Sequence, residues 1–314
     1  MMKRTEILDA TESILKKAGF QVSQRCVARP SCFDLVARRE EQLALMKMYV
    51  NIGNVSIENA SELQMISECL SATPFFICNE NRRKPLEDDT VYSRYNVFTI
   101  TLKTLEDTAL HGMYPLVEAG PGGYYVKLDG KELRERRQKL GLSIGKLADM
   151  IGISRRTLYG YEKDMAKASV SVAYNLEWIL GVPVVESIDI FQSSSQNKGL
   201  LAAAKRIFTK HRFLQKVLKK FTQINCEVSC VRKAPFDFVA QSLDEPLNII
   251  GGVPDEKERN IDQRTEEIVS ISKVVNAHPI FITDGQQIPN NNIPQICNKD
   301  LQSVGCLKEV IKKR

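Results

Sequence analysis

Residues 131–167, KELRERRQKLGLSIGKLADMIGISRRTLYGYEKDMAK, decide how the whole chain is interpreted. From Ser143 onward the stretch predicts two short helices joined by a tight turn at Gly152, because glycine reaches positive φ at little cost. The second helix begins Ser154-Arg155-Arg156-Thr157, a small polar cap followed by two arginines. The stretch holds ten Lys/Arg against five Asp/Glu, so it carries a net +5 of the chain's formal +6.

Apolar residues within the stretch recur at the spacing of a buried helix face. The first helix places its apolar side chains at i, i+3, i+4 and i+7, namely Ile144, Leu147, Ala148 and Ile151. In the second helix Leu158 and Tyr161 face inward, which leaves Arg155, Arg156, Thr157 and Tyr159 exposed. A following helix over 169–180 is expected to pack beneath them, with Trp178 in or near the core.

The spacing of these residues resembles the λ-repressor-like (Cro-type) helix-turn-helix family. The matching positions are Leu142, Ser143, Leu147, Ala148, Gly152, Ile153, Ser154, Thr157, Leu158, Tyr161 and Glu162. The resemblance implies a five-helix domain over about 127–190 whose helix at 154–163 enters the major groove of double-stranded DNA. The implied DNA-binding residues are Ser143, Lys146, Ser154, Arg155, Arg156, Thr157, Tyr159 and Lys163. Gly160 lies within the predicted recognition helix, although glycine is a poor helix former. The alternative to DNA binding is a protein-interaction module with a basic face.

The composition argues against several other classes of protein. No run of about 18 apolar residues is present, and the charged amphipathic start is unlike a signal peptide, so a cytoplasmic protein without a membrane span is expected. Eight cysteines without a CxxC pair do not indicate a disulfide scaffold. Cys226 and Cys230, four apart in a predicted strand, are expected to be buried thiols and not zinc ligands. Three scattered histidines predict no metal site, and no cofactor is expected.

An internal repeat flanks the basic stretch. Residues 33–37, FDLVA, match 236–240, FDFVA, and each is followed by a predicted helix and a buried strand that begins at Pro74 or Pro279. This pattern indicates a duplicated α/β unit. The Gly/Pro-rich stretch 118–123 and the polar linker 192–199 place domain boundaries near 120 and 195. The prediction is a multidomain α/β plus all-α chain with domains at 1–120, 121–194 and 195–314.

The repeated pattern resembles the restriction-endonuclease-like fold. That family holds Mg²⁺ with an aspartate at one strand and an acidic-x-Lys triplet on the next. Asp34 and Lys47 match, but Leu45 stands at the acidic position, with Glu62 or Glu68 as conceivable substitutes. Around Asp237 we assign Ile249 and Gly251 to the triplet positions. We therefore expect nuclease-like scaffolds without enzyme activity; the alternative is a Mg²⁺-dependent nuclease that uses Asp34 and Lys47.

The chain as a whole resembles an archaeal family of HTH-type transcriptional regulators. The segments that carry this likeness are residues 33–39, 85–95, 122–130 and 154–162. We expect a non-enzymatic, sequence-specific DNA-binding regulator that acts as a homodimer, because two half-sites strengthen binding. Residues 198–225 hold eight Lys/Arg and no acid. The expected secondary phosphate contacts are Arg136, Lys205, Arg206, Lys210 and Arg212. A controller of a toxin–antitoxin or modification system, with a protein partner, is a third possibility.

Overall fold

The computed structural model describes residues 2–82, 84–192, 211–254, 258, 260–285 and 292–312. Its helices are α1 (Arg4–Lys17), α2 (Ile57–Cys69), α3 (Leu102–His111), α4 (Gly130–Lys139), α5 (Ile144–Ile151), α6 (Arg155–Tyr161), α7 (Val170–Leu180), α8 (Arg212–Gln223), α9 (Ile261–Val275), α10 (Asn298–Gln302) and α11 (Leu307–Lys312). Its strands are β1 (Gln21–Val22), β2 (Leu35–Arg39), β3 (Gln42–Asn51), β4 (Thr73–Asn81), β5 (Lys84–Pro85), β6 (Thr90–Arg94), β7 (Val97–Ile100), β8 (Val117–Gly120), β9 (Gly123–Leu128), β10 (Ala168–Ser169), β11 (Val185–Glu186), β12 (Cys226–Cys230), β13 (Phe238–Ser242), β14 (Asn248–Gly252), β15 (His278–Thr283) and β16 (Gln295–Cys297).

The chain forms two compact units, each built from segments that are not consecutive in the sequence. Unit 1 contains Met1–Val50, Asn54–Ile77 and Phe191–Arg314, and unit 2 contains Asn51–Gly53 and Cys78–Ile190. The first and last parts of the chain therefore share one unit, and residues 78–120 belong with the basic stretch. The three-domain division at 120 and 194 stays a prediction.

Unit 1 consists of two halves with the same order of elements. The N-terminal half (residues 2–77) runs α1-β1-β2-β3-α2-β4, and the C-terminal half (residues 211–312) runs α8-β12-β13-β14-α9-β15 before β16. In both halves the first three strands pair antiparallel, β1-β2-β3 and β12-β13-β14. Helix α8 buries Leu214, Val217, Leu218 and Phe221, a helical stripe that packs on the second sheet. The shared order is the one that the repeat predicts.

Equivalent residues of the two halves meet each other in unit 1. Glu62 on α2 accepts hydrogen bonds through Oε1 from the backbone N–H groups of Arg232 and Lys233, at 2.6 and 3.4 Å. The counterpart of Glu62 on α9, Glu267, accepts from Val27 and Ala28, at 2.9 and 2.8 Å. Each carboxylate and each pair of N–H groups has its counterpart 205 positions along the chain (267 − 62 and 232 − 27).

The ring of Phe33 packs on the ring of its own counterpart, Phe236, with centroids 6.3 Å apart. Reciprocal contacts of this kind define a two-fold interface, here within one chain.

Unit 2 joins a small sheet to the helices of the basic stretch. Its strands lie in the order β7-β6-β8-β9-β10, and β11 also pairs antiparallel with β9, at Lys127 and Leu128. Val126 and Leu128 of β9 pack in the same core as Leu133, Leu147 and Leu158. The sheet therefore anchors α4, α5, α6 and α7 through one shared apolar core.

One expectation about this region is wrong, and another stays a prediction. Residues 127–190, all of which the structure describes, contain four helices, so the five-helix arrangement is not confirmed. Gly181 ends α7 with φ 67°, and the segment after it pairs as β11 with β9. Trp178 is not in the core: it is 77% exposed, because Ala173, Leu176 and Leu180 form the buried side of α7.

Candidate nucleic-acid interface

Helices α5 and α6 form a capped pair joined by a tight turn. Ser143 caps α5 by accepting from Lys146 N at 3.1 Å, and Ser154 caps α6 by accepting from Thr157 N at 3.0 Å. Between them Gly152 has φ 73° and ψ 33°, the left-handed conformation that glycine adopts cheaply. The α6 helix spans Arg155–Tyr161, so it is shorter than the predicted 154–163.

The outer side of α6 is polar and open. Arg155, Arg156 and Tyr159 are exposed, while Leu158 and Tyr161 are buried against α5 and its neighbours. Within the described part of the chain, no ion pair engages Arg155 or Arg156. Both guanidinium groups are therefore available to a ligand that approaches the start of α6.

The two arginines differ in what supports them. A β-carbon built on Gly145 would lie 2.8 Å from Nε and 3.0 Å from Cζ of Arg155. The Arg155 side chain therefore lies against the first turn of α5, beside Ser143 and Lys146. The positive guanidinium group of Arg155 is therefore near the N-terminal, positive end of the α5 dipole. A bound anion there would relieve the repulsion between the guanidinium group and the helix end.

Arg137 and Glu162 form a buried ion pair under the interface. Arg137 Nε and Nη2 donate to the two carboxylate oxygens of Glu162 at 2.5 and 3.1 Å, and Nη1 donates to Leu142 O at 2.7 Å. The bonds tie the end of α4 to the end of α6 and to the segment before α5. The sequence analysis included both residues only in the net charge of the basic stretch and Glu162 also in the helix-turn-helix pattern; the pattern Tyr161-Glu162 was the signal that could have identified the pair.

The remaining predicted contact residues lie on separate elements of the chain. Arg136 donates from Nε to Leu180 O at 2.8 Å, so it holds α4 to the end of α7. Lys163 follows α6, and its Nζ lies 5.9 Å from the centre of the Tyr159 ring. Arg212 is exposed at the start of α8. Lys205, Arg206 and Lys210 lie outside the described residues.

Asp34 and Lys47 do come together at the nuclease-like centre of the N-terminal half. Asp34 Oδ1 lies 2.7 Å from Lys47 Nζ and 2.6 Å from Arg4 Nη2, and Oδ2 accepts from Met48 N at 2.9 Å. Leu45 is fully buried at the acidic position. Glu62, a conceivable substitute ligand, instead binds Arg232 N and Lys233 N.

The residues around Asp34 do not fit a divalent metal ion. The fold family holds Mg²⁺ with two or more carboxylates. Here one carboxylate already has two cationic partners. The described residues contain no cluster of three acidic, histidine or cysteine side chains that could hold a metal.

The second centre repeats the first with different cations. Asp237 accepts from Val253 N at 2.6 Å, as Asp34 does from Met48 N, and it pairs with Arg264 and Arg29. The strand register pairs Val36 with Leu45 and Val239 with Ile250. The residues equivalent to Leu45 and Lys47 are therefore Ile250 and Gly252, and the assignment to Ile249 and Gly251 was wrong by one position.

The space beside Gly252 in the second centre is filled by Phe281 of β15 and Arg264 of α9. A β-carbon on Gly252 would lie 2.5 Å from Cε1 of the Phe281 ring and 3.0 Å from Arg264 Nη2. The Phe281 ring and the buried Arg264 guanidinium therefore occupy the space where a side chain equivalent to Lys47 would begin. Arg29 and Arg264 also both bind Glu258, so two arginines are balanced by two carboxylates.

The two cysteines of β12, Cys226 and Cys230, are not set up as reactive thiols. Burial raises the pKa of Cys226 and of Cys230 to about 11. Both thiols of β12 are therefore neutral near pH 7 and weak nucleophiles.

Comparison with known proteins identifies the two kinds of domain. Residues 4–115 match a PD-(D/E)XK superfamily domain, and residues 133–187 match a helix-turn-helix domain. A protein of Methanocaldococcus jannaschii with the provisional name HTH-type transcriptional regulatory protein is 32% identical over 99% of this chain and 96% of its own length. The chain belongs to this archaeal HTH-type regulatory protein family.

Other members of the archaeal HTH-type family match over similar lengths. The Archaeoglobus fulgidus protein is 32% identical over 95% of this chain and 90% of its own, and the Pyrococcus horikoshii protein is 30% identical over 99% and 97%. Both carry the same provisional name. No described helix of the present chain is long and apolar enough to cross a bilayer.

Proposed function

We propose that this chain is a sequence-specific regulator of transcription that binds double-stranded DNA with α6 in the major groove. The observation that carries the proposal is the pair of exposed arginines, Arg155 and Arg156, at the capped start of α6. Arginine binds guanine O6 and N7 with two hydrogen bonds, and a helix fits the width of the major groove. The match of residues 133–187 to helix-turn-helix domains supports the same docking geometry.

The contacts divide the predicted residues into two roles. Arg156, Thr157 and Tyr159 extend from the outer side of α6 and are proposed to contact base edges. Arg155 lies beside the start of α5, so it is proposed to join Ser143 and Lys146 in holding one phosphate. Ser154 and Lys163 flank α6 and complete the proposed surface. Arg212 at the start of α8 is proposed as a secondary phosphate contact.

The nuclease-like parts are proposed to serve as a scaffold and not as an enzyme. Their two aspartates bind cations within the chain, so the carboxylate that a metal would need is already neutralised. The family membership and the helix-turn-helix match favour a regulator that acts as a homodimer on two half-sites. The second candidate, a nuclease built on Asp34 and Lys47, is favoured only by the match over residues 4–115.

Selection of duplexes from a random pool tests the proposal. We expect the full chain to enrich one motif, and Arg156→Ala to relax the preference at one base pair, with about 1–3 kcal/mol lost there. Arg155→Ala should weaken binding to all duplexes alike and lower the salt dependence by about one phosphate. Lys216→Ala on the exposed side of α8 is the matched control and should leave the motif unchanged.

Two results would overturn the assignment. If Arg156→Ala retains the full motif preference, α6 is not the recognition helix. The second result is that the wild-type chain enriches no motif but nicks plasmid DNA with Mg²⁺, and that Asp34→Ala abolishes the nicking. The nuclease hypothesis would then replace the proposed regulator. Asp34→Ala removes a buried ion pair, so its folding must be checked by circular dichroism before the nicking result is used.

A further inference from the structure

Helix α7 has an apolar outer face that the described part of the chain leaves exposed. Val170, Tyr174 and Trp178 follow one another at i, i+4 and i+8, so they lie along one side of the helix. Their exposed fractions are 42%, 64% and 77%. The other side of α7 is already packed in the core. Ser171 and Asn175 are exposed beside them, so these apolar residues form a stripe along a partly polar side of the helix.

This outer face has no charge, although the domain around it is basic. The single charged residue of α7 is Glu177, and its Oε1 accepts from Val184 N at 2.8 Å and from Val185 N at 3.1 Å. Residues 131–167 meanwhile carry a net +5. The outer face of α7 therefore offers no attraction to phosphate, and DNA is not its partner.

We propose that the outer face of α7, formed by Val170, Tyr174 and Trp178, binds the same face of a second copy of this chain. This inference rests on the proposed function, because two half-sites require two recognition helices. Two copies of a positively charged domain repel each other wherever their basic surfaces meet. An uncharged face is the place where two such domains approach at least cost, and a two-fold contact needs only one self-complementary surface.

The location of exposed apolar side chains supports unit 2 as the place of contact. Of the fifteen large exposed apolar residues in the described part of the chain, eleven lie in unit 2. Unit 1 has already used its two-fold interface internally, through Glu62, Glu267 and the Phe33–Phe236 contact. A second copy is therefore expected to dock on unit 2, which contains the helix-turn-helix.

The area of the face predicts a weak dimer. With about 150–250 Å² for a whole aromatic side chain, the three residues offer roughly 300–400 Å² per copy. Two copies then bury about 600–800 Å² from these residues, below the roughly 1,200 Å² of a standard interface. We expect a dissociation constant of about 10–100 µM for the free protein. DNA with two half-sites would raise the local concentration of the second copy.

Trp178 provides a probe of this contact, because it is the only tryptophan in the chain. In DNA-free samples of the full chain, we expect sedimentation velocity to show a monomer–dimer equilibrium as the concentration rises through about 10–100 µM. The emission of Trp178 should shift to the blue over the same range as the ring leaves water. A chain that stays monomeric throughout, or a dimer with unchanged Trp178 emission, would overturn the inference.

One substitution tests the face directly. Tyr174→Lys places two lysines opposite each other in the two-fold contact, so dimerisation should weaken at least about 30-fold. Leu243→Lys is the matched control: Leu243 is also 64% exposed but lies in unit 1, and its dimerisation should match the wild type.

A dimer that persists in Tyr174→Lys, or is lost equally in Leu243→Lys, would contradict the proposed face. Motif selection by the wild type is scored separately. If the wild type dimerises without DNA but selects no DNA motif, the proposed function is wrong and the proposed interface is retained.

Discussion

The buried pair Arg137–Glu162 gives a sharp test of how the helix-turn-helix is held together. Glu162→Gln keeps the shape of the side chain but removes its charge. Arginine stays protonated in proteins, so the buried Arg137 guanidinium would be left without a counter-charge. Its bond to Leu142 O would remain. The change should therefore loosen the join between α4 and α6 without altering any proposed DNA contact.

The expected cost is large because both groups are out of solvent. The side chains of Arg137 and Glu162 are 8% and 3% exposed. Breaking a buried pair by removing one partner costs about 3–5 kcal/mol. Each 1.4 kcal/mol or so changes an equilibrium constant tenfold. A cost of about 3 kcal/mol therefore makes local opening of this region roughly 150 times more frequent.

Hydrogen exchange measured by mass spectrometry on peptides within 133–187 would detect this opening. Glu118→Gln is the matched control, because Glu118 pairs with the half-exposed Lys167 in the same unit and its loss should cost less than about 1 kcal/mol. Arg137→Met combined with Glu162→Leu should regain most of the protection, since an apolar pair needs no compensation. If Glu162→Gln exchanges no faster than Glu118→Gln, the claim of a desolvated pair is refuted.

Three further outcomes are expected. Gly160→Ala should raise the melting temperature, with about 0.5–1 kcal/mol of stabilisation, because the nearest atom to a β-carbon there is 3.9 Å away; a lower melting temperature would reveal a need for glycine. Burial raises the pKa of Glu267 above 4.5, so its contribution to stability is lost as pH rises through that raised value. Glu267→Gln should therefore gain on the wild type in urea titrations from pH 4.5 upward, and a constant difference would contradict this. Lys47→Met should cost about 1–3 kcal/mol in urea unfolding by leaving Arg4 as the only cationic partner of Asp34 among the described residues, and a neutral result would deny the pair a structural role.

Local patterns in the sequence predicted the helix-turn-helix in detail. Ser143, Gly152 and Ser154 occupy the cap and turn positions that their residue types favour, because capping depends on a few neighbouring atoms. The repeat around Asp34 and Asp237 likewise predicted the shared order of strands and helices. Both signals are carried by residues close together in the chain.

What the sequence could not show depends on contacts between distant residues. Trp178 was expected inside because it is apolar, but burial is decided by which face of α7 the core covers. The one-residue error at Ile250 and Gly252 arose because the two hairpins differ in length, which only the strand register reveals. The grouping of residues 1–77 with the C-terminal half has no local signature at all.

The internal two-fold of unit 1 has a consequence for how the protein is made. Partners such as Glu62 and Arg232 are separated by 170 positions. The N-terminal half of unit 1 therefore leaves the ribosome well before the C-terminal half has been synthesised. At roughly 5–20 residues per second, the wait is about 10–35 s. During synthesis Phe33 and the rest of this surface would face solvent, a target for chaperones. Once complete, however, the pairing is independent of how many copies the cell contains.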